Sequence, residues 1–286
     1  MLTSVRSPRV QAVRRLSRRS ARAAERRFVV EGPQAVREAL PTLLELFVDP
    51  TGSVRHADLV AAAACPVTPV SAGVLSAMAE TISPQGLLGV AELLDVPLSQ
   101  ALEGGPRLVA VLEAVSDPGN AGTVIRTVDA AGGDAVVLTS GATDPHGSKC
   151  VRATAGSLWH LPVVTGPSIA ESVVALRAAG LAVLATTGAG TDDLEDLQDS
   201  GALAAPTAWL FGNEAGGLSE QALELADRTV RIPLRGRAES LNLSVAAGLC
   251  LYATARAQHR GEKRRQGQTG HPVGTVSPTS GQGGPS

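Results

Sequence analysis

Nowhere in the 286 residues does an apolar run approach the roughly 18 needed to cross a membrane, so the chain reads as soluble. Cysteine is scarce: Cys65, Cys150 and Cys250 lie far apart and never form a Cys-x-x-Cys pair. Neither a disulfide framework nor a zinc site is supported, and a reducing cytoplasm is the expected compartment. His56, His146, His160, His259 and His271 show no ligand spacing, so no metal is expected. The chain also lacks the Gly-x-Gly-x-x-Gly fingerprint of dinucleotide folds and the Gly-Lys-Ser/Thr ending of a phosphate loop, which argues against a nucleotide-dependent oxidoreductase. Residues 1–27 contain no apolar core of 7–15 residues, so a secretory signal is not expected there.

Charge is present in quantity but unevenly placed. The net charge is −2, yet residues 1–27 hold nine arginines against one acid, Glu25, and residues 259–286 hold four bases against one acid. The body between them is therefore acidic. A concentrated basic arm on an acidic body points to a polyanionic partner that meets the arm. Val10, Val13, Leu16, Ala21 and Ala24 lie at helical spacings with arginines between them, which predicts a helix with one packed stripe and one basic face. A solvated terminus or an organelle transit segment is the alternative, since the stretch is rich in Arg and Ser.

Residues 28–94 alternate short apolar segments (28–30, 43–48, 66–70, 87–90) with helix-like stretches (33–40, 56–64, 71–80), the pattern of a small α/β domain. Together with the arm they form an expected N-terminal domain, 1–94. Residues 95–106 have the Pro and Gly content of a linker. From Arg107 a β/α rhythm sets in, with strands predicted at 107–113, 134–139, 161–164, 181–186, 207–211 and 229–232. Helices are predicted near 121–131, 149–157, 168–179, 219–226 and 241–257. Such alternation predicts a second domain, 107–258, built as a parallel sheet covered by helices on both faces. Residues 259–286, rich in Gly, Ser, Pro, Gln and Thr, read as a disordered tail. In the last helix Leu241, Val245, Leu249 and Tyr252 form one apolar line and other apolar residues fill most of the rest, so the helix should be covered on nearly all sides.

Polar loops follow several of the apolar strands, where backbone groups and helix N-termini converge on a ligand in an open parallel sheet. Three of them carry motifs: Asp117-Pro-Gly-Asn-Ala-Gly-Thr-Val-Ile-Arg-Thr-Val-Asp-Ala-Ala-Gly132, Leu210-Phe-Gly-Asn-Glu-Ala-Gly-Gly-Leu-Ser219, and Ile232-Pro-Leu followed by Glu239-Ser-Leu-Asn-Leu-Ser-Val-Ala-Ala-Gly248. In this order they resemble the motifs of the SpoU (TrmH) family of S-adenosylmethionine-dependent RNA 2′-O-methyltransferases, members of the SPOUT superfamily. Phe28-Val-Val-Glu-Gly32, Pro66-Val-Thr-Pro-Val-Ser71 and Ser83-Pro-Gln-Gly86 resemble, more loosely, the accessory RNA-binding domain of many SpoU enzymes, a fold shared with certain kink-turn-binding ribosomal proteins.

The resemblance implies a C-terminal trefoil knot, a homodimer, and methylation of a ribose 2′-hydroxyl in RNA, ribosomal ahead of transfer RNA. It assigns S-adenosylmethionine to Gly212, Gly217, Ile232 and Leu241, largely through main-chain groups and apolar contact. Asn120, Arg126, Glu214, Ser240 and Asn242 fall to the catalytic surface. Read singly, Asn120, Ser240 and Asn242 are helix caps, Arg126 a solvated helix residue and Glu214 an exposed turn acid. The motif places Arg126 by the target ribose, where a planar fixed charge suits a polyanion. With a pKa above about 12 an arginine is a poor base, so its expected part is stabilisation of the developing alkoxide. Glu214 is expected to fix a neighbouring loop or orient Arg126. The rival from another class is a non-catalytic RNA-binding protein of ribosome assembly, which would have no need of Asn120, Arg126 and Asn242 together.

Overall fold

A computed structural model describes residues 1–268, and of residues 262–268 only the helical backbone. The chain opens with two short helices, α1 (Pro8–Arg15) and α2 (Arg19–Glu25), where one longer helix is predicted. The packed stripe ends at Leu16. Val10, Val13 and Leu16 are buried, whereas Ala24 is exposed and the buried residue of α2 is Arg22. Its guanidinium donates to the carbonyls of Leu16 and Ser17 at 2.8 and 2.9 Å and to Asp144 Oδ2 at 2.9 and 2.6 Å. It thus caps the end of the α1 turn and ties the arm to a distant loop. Burial would raise the Asp144 carboxyl, but bonds from His146 and Arg22 hold it well below the usual range.

Then follow β1 (Arg27–Glu31), α3 (Pro33–Ala39), β2 (Leu43–Val48), α4 (Pro50–Arg55), α5 (Ala57–Ala62), β3 (Val67–Pro69), α6 (Ala72–Met78) and β4 (Leu87–Glu92). They form a four-stranded sheet in the order β1-β4-β2-β3, antiparallel except for β2 with β3. The stretch read as a linker is docked: it holds a turn of helix, α7 (Leu98–Ala101), and Val96 N donates to Val163 O at 3.1 Å.

The second sheet has seven parallel strands in the order β7-β6-β5-β10-β8-β11-β9. In chain order the elements are β5 (Leu108–Leu112), α8 (Pro118–Ala130), β6 (Ala135–Leu138), α9 (Ser148–Thr154), β7 (Val163–Thr165), α10 (Ile169–Ala178), β8 (Ala182–Thr186), β9 (Asp192–Asp193), α11 (Leu194–Asp199), β10 (Thr207–Phe211), α12 (Glu220–Leu225), β11 (Arg228–Arg231) and α13 (Leu243–Gln268). Every residue of β5, β6 and β10 is buried, because both faces of the sheet are covered. The chain fills one side of β5 with β6 and β7, then crosses to build β8, β10 and β11 on the other. That reversal is the place where open parallel sheets bind ligands.

Helix α13 continues ten residues into the segment read as a tail; residues 269–286 lie outside the described residues. It buries Ala247, Cys250, Leu251 and Thr254 but leaves Val245, Leu249 and Tyr252 about half exposed, so within one chain the apolar line is not covered as predicted. The small sheet packs directly on the large one: Phe28 stacks on Trp159 with centroids 5.9 Å apart, and both sheets contribute to one hydrophobic cluster.

Candidate active site

The loop after β10 is a tight hairpin closed by two backbone bonds, Asn213 N to Gly217 O at 2.9 Å and Gly217 N to Asn213 O at 2.8 Å. Gly217 sits at φ +70, which favours glycine. At Gly212 the reason is space: a Cβ there would collide with the Gly217 carbonyl and the Leu218 amide. The Asn213 amide reaches across to Ala114 O at 2.7 Å, fixing the hairpin to the end of β5. Ala114 itself has a positive φ of 48, costly for a residue with a Cβ and typical of over-determined sites. Buried Glu113 accepts from Ser219 N and Oγ at 2.9 and 2.6 Å, locking the far end of the same loop at the start of α12.

Beside the hairpin lies a cleft of about 620 Å³, within the range of small-molecule sites. Gly212 and Gly217, Ile232, and Leu241 all line it, as do Glu214, Ser240 and Asn242. Leu218 and Leu234 add apolar wall. A floor of close backbone with aliphatic sides and exposed loop amides fits a flat, partly apolar ligand such as the adenosine of S-adenosylmethionine.

One hydrogen-bonded chain joins the three motifs. Glu214 Oε2 accepts from Ser116 N and Oγ at 3.2 and 3.1 Å, and Oε1 from Asp117 N at 3.3 Å and Asn120 Nδ2 at 3.0 Å. Asn120 Oδ1 in turn accepts from Asn242 Nδ2 at 3.1 Å and Ser244 Oγ at 3.2 Å. Partial burial pushes the Glu214 carboxyl up, but the donors, led by Asn120, outweigh it and hold the group below its ordinary value. Asp117 caps α8 by accepting from Asn120 N at 2.8 Å, and Pro118 follows at the position where a missing N–H costs nothing. The bond from Lys149 Nζ, 2.7 Å from Asp117 Oδ2, and then that from Asn120 N hold this carboxyl below its ordinary value.

The structure thus brings Asn120, Glu214 and Asn242 together and sets Ser240 on the cleft wall without a hydrogen-bond partner among the described residues. Arg126 stands apart. It is exposed on α8, does not line the cleft, and has no hydrogen bond or ion pair among the described residues; Glu214 bonds residues 116, 117 and 120 and does not meet it. Sequence reasoning missed Ser244, and also Thr186, Thr187 and Gly188, which line the cleft after β8. Their signal was available: Thr186-Thr-Gly-Ala-Gly190 is one more polar, glycine-containing loop behind an apolar strand. Among the described residues no cluster of His, Cys, Asp and Glu could hold a metal ion.

Residues 107–252 match the SpoU rRNA Methylase family model, and residues 7–89 match the MRM3-like substrate binding domain. The chain is 33% identical over 253 residues to the 23S rRNA (guanosine(2553)-2′-O)-methyltransferase RlmP of Bacillus subtilis, covering 88% of this chain and 97% of that one. Among solved structures it resembles an AdoMet-bound rRNA methyltransferase from Sinorhizobium meliloti, with TM-score 0.78 and 33% identity over 89% of this chain and 97% of that one. The SpoU methyltransferase AviRb from Streptomyces viridochromogenes, in complex with AdoMet, superposes with TM-score 0.79 at 29% identity, over 89% of this chain and all of that one.

Proposed function

This chain belongs to the SpoU rRNA methylase family, and from that membership we propose that it methylates a ribose 2′-hydroxyl in 23S ribosomal RNA, using S-adenosylmethionine. The observation that carries this is the joining of all three motifs through Glu214, Asn120 and Asn242 at the mouth of a cleft floored by Gly212 and Gly217. A non-catalytic RNA-binding protein has no use for such an arrangement.

When bound, S-adenosylmethionine supplies an electrophilic methyl group on a sulfonium. Gly212 and Gly217 offer backbone to it, and Ile232 and Leu241 offer apolar wall. Ser240 is free to bond the nucleotide or the carboxylate of the methionine. Glu214 is a weak candidate for the base, because both its oxygens are engaged and its pKa is depressed. Its part is to hold the 116–120 loop against the hairpin. Arg126, unpaired among the described residues, is left to stabilise the developing alkoxide and its phosphate, with the proton passing to a phosphate oxygen or water.

Residues 107–258 form the catalytic part in this proposal, and residues 1–94 hold RNA, with work on ribosomal RNA placing the protein in the cytoplasm. The uncovered line Val245, Leu249 and Tyr252 supports a homodimer, since a C2 contact would bury it against its own copy. Radiolabelled methyl transfer to unmodified transcripts of 23S, 16S and transfer RNA, followed by mapping of 2′-O-methyl positions, is the test. Transfer to a base or to protein, or none to any RNA despite cofactor binding, would refute it.

A further inference from the structure

The small sheet carries a surface that the catalytic site does not use. Ile82 is 99% exposed and Val54 82% exposed, more than any other large hydrophobic side chain among the described residues. They stand on neighbouring elements, Ile82 on the loop between α6 and β4 and Val54 on α4. These elements are not loose. Gly52 of α4 packs so close to Gly86 that a Cβ on either would collide with the other's backbone. Asp49 N donates to Gly86 O at 3.0 Å, and His56 Nε2 lies 3.1 Å from Gln85 O.

The other end of the loop is held by buried Glu31, which accepts from Glu80 N at 2.9 Å and Thr81 N at 3.1 Å. The same carboxylate accepts from Ser148 Oγ at 2.6 Å, at the first turn of α9. The loop is therefore braced against the catalytic sheet while it holds an isoleucine in water, an arrangement that costs solvation free energy and marks a contact surface.

Beside the loop is a pocket of about 170 Å³, walled by Gly32, Thr81, Ser83, Gln85 and Arg152 with Glu31 among its lining. It is smaller than the roughly 300–1,000 Å³ of cofactor-sized sites, so it suits one planar ring system. The Gln85 carboxamide oxygen lies over Gly32, and neither it nor the Ser83 hydroxyl has a partner among the described residues. Arg152 bonds Ser148 and faces Glu31 but has further N–H groups to offer.

We propose that this pocket and Ile82 together take one unpaired base of the substrate RNA, an inference that rests on the RNA-methyltransferase function above. A splayed base presents apolar faces, which Pro84 in the lining and Ile82, between the lining residues Thr81 and Ser83, can cover, and a polar edge, which Gln85, Ser83 and Arg152 can bond; a duplex hides both. A protein partner would use the exposed aliphatics but leave the polar slot idle. Because the loop is tied through Glu31 to α9, and Lys149 of α9 is paired with the cap of α8, capture of that base orients the RNA toward the catalytic helix.

The test uses the full chain and the double variant Ile82→Ser, Gln85→Ala, both on exposed side chains, with thermal unfolding confirming an unchanged fold. The probes are a fluorescein-labelled RNA hairpin with a mixed-sequence unpaired loop and the same stem closed as a duplex, read by anisotropy. The variant should bind the hairpin roughly tenfold or more weakly, the usual effect of losing one base contact, and the duplex as before. With a 23S transcript its RNA KM should rise while kcat and cofactor affinity hold. Equal hairpin affinity in variant and wild type overturns the inference and hands the patch to a protein partner, and an equal loss on hairpin and duplex overturns it in favour of a contact with the RNA backbone. If the wild type transfers no methyl to any RNA while the hairpin difference stands, the enzyme function falls and the base site survives.

Discussion

Gly212→Ala should abolish cofactor binding, and its neighbour Gly216→Ala should not. The two glycines share one hairpin, but a Cβ at 212 collides with the Gly217 carbonyl and the Leu218 amide, whereas one at 216 meets nothing within 4 Å. The obstacle at 212 is backbone and cannot rotate away. To admit the methyl the hairpin must open, which breaks the two Asn213–Gly217 bonds, each worth about 1 kcal/mol. Residual overpacking adds about 1–3 kcal/mol. A loss of about 3–5 kcal/mol in a chain of this size lowers Tm by roughly 5–10 °C. The effect on ligand binding is larger in kind, because the displaced segment is the cleft wall itself. Calorimetric titration with S-adenosylhomocysteine and thermal unfolding of both variants give the measurement. If Gly212→Ala binds the ligand like the wild type, or Gly216→Ala loses as much, the cleft beside this hairpin is not the cofactor site.

Further outcomes follow from the surface chemistry. Leu249→Glu should convert a dimer to monomers in sedimentation velocity, and a wild type already monomeric at high concentration would rule the interface out. Replacing Arg6, Arg14 and Arg18 with Gln should leave folding intact, since none has a side-chain partner among the described residues, and should flatten the salt dependence of RNA binding by about 0.7–0.9 per lost phosphate contact; an unchanged slope would make the arm purely structural. His160 pairs with Asp129 at 2.8 Å and Glu38 at 3.3 Å, and the Asp129 bond first, then Glu38, raises its pKa. Its contribution to stability is full below its ordinary value of about 6.5 and is lost as pH rises through the raised value, so wild type should lose more stability than His160→Gln as pH rises above about 6.5. Arg126→Ala should slow single-turnover methyl transfer by about 10²–10³ with cofactor affinity unchanged, and a near-normal rate would return Arg126 to the solvated face of α8.

Strands and helices were largely legible because their causes are local. The apolar runs of β5, β6 and β10 each report on neighbours in sequence. Helix α8, by contrast, starts at Pro118 behind the cap Asp117, ahead of the predicted 121–131 and with Asn120 inside its first turn instead of at its cap. What lay hidden depends on partners far away in the chain. A break at Leu16–Arg18 cannot be read from 1–27 alone, because Arg22 leaves the basic face to meet Asp144, 122 residues on. Arg9 pairs with Glu45, and Arg19 donates to Ala142 O at 3.1 Å, so much of the arm's charge is spent inside the protein. The arm is therefore a structural strap first, and deleting it whole would remove Val10, Val13 and Leu16 from a core cluster along with any RNA contact.

The site shows the same division in finer form. The resemblance singles out Gly212, Gly217, Ile232 and Leu241 for the cofactor, and all four line one cleft. Ser244 could not be found that way, since its relevance is a bond to Asn120, 124 residues earlier. Arg126 is the opposite case. Motif spacing singles it out, yet the folded chain gives it no partner among the described residues and no wall of the cleft. A cation left free on a helix whose first turn is held by Asp117 and Glu214 is rigid at its base and uncommitted at its tip. That combination is what the proposed role asks for, a main chain fixed before RNA binds and a charge left free to meet a phosphate or an alkoxide.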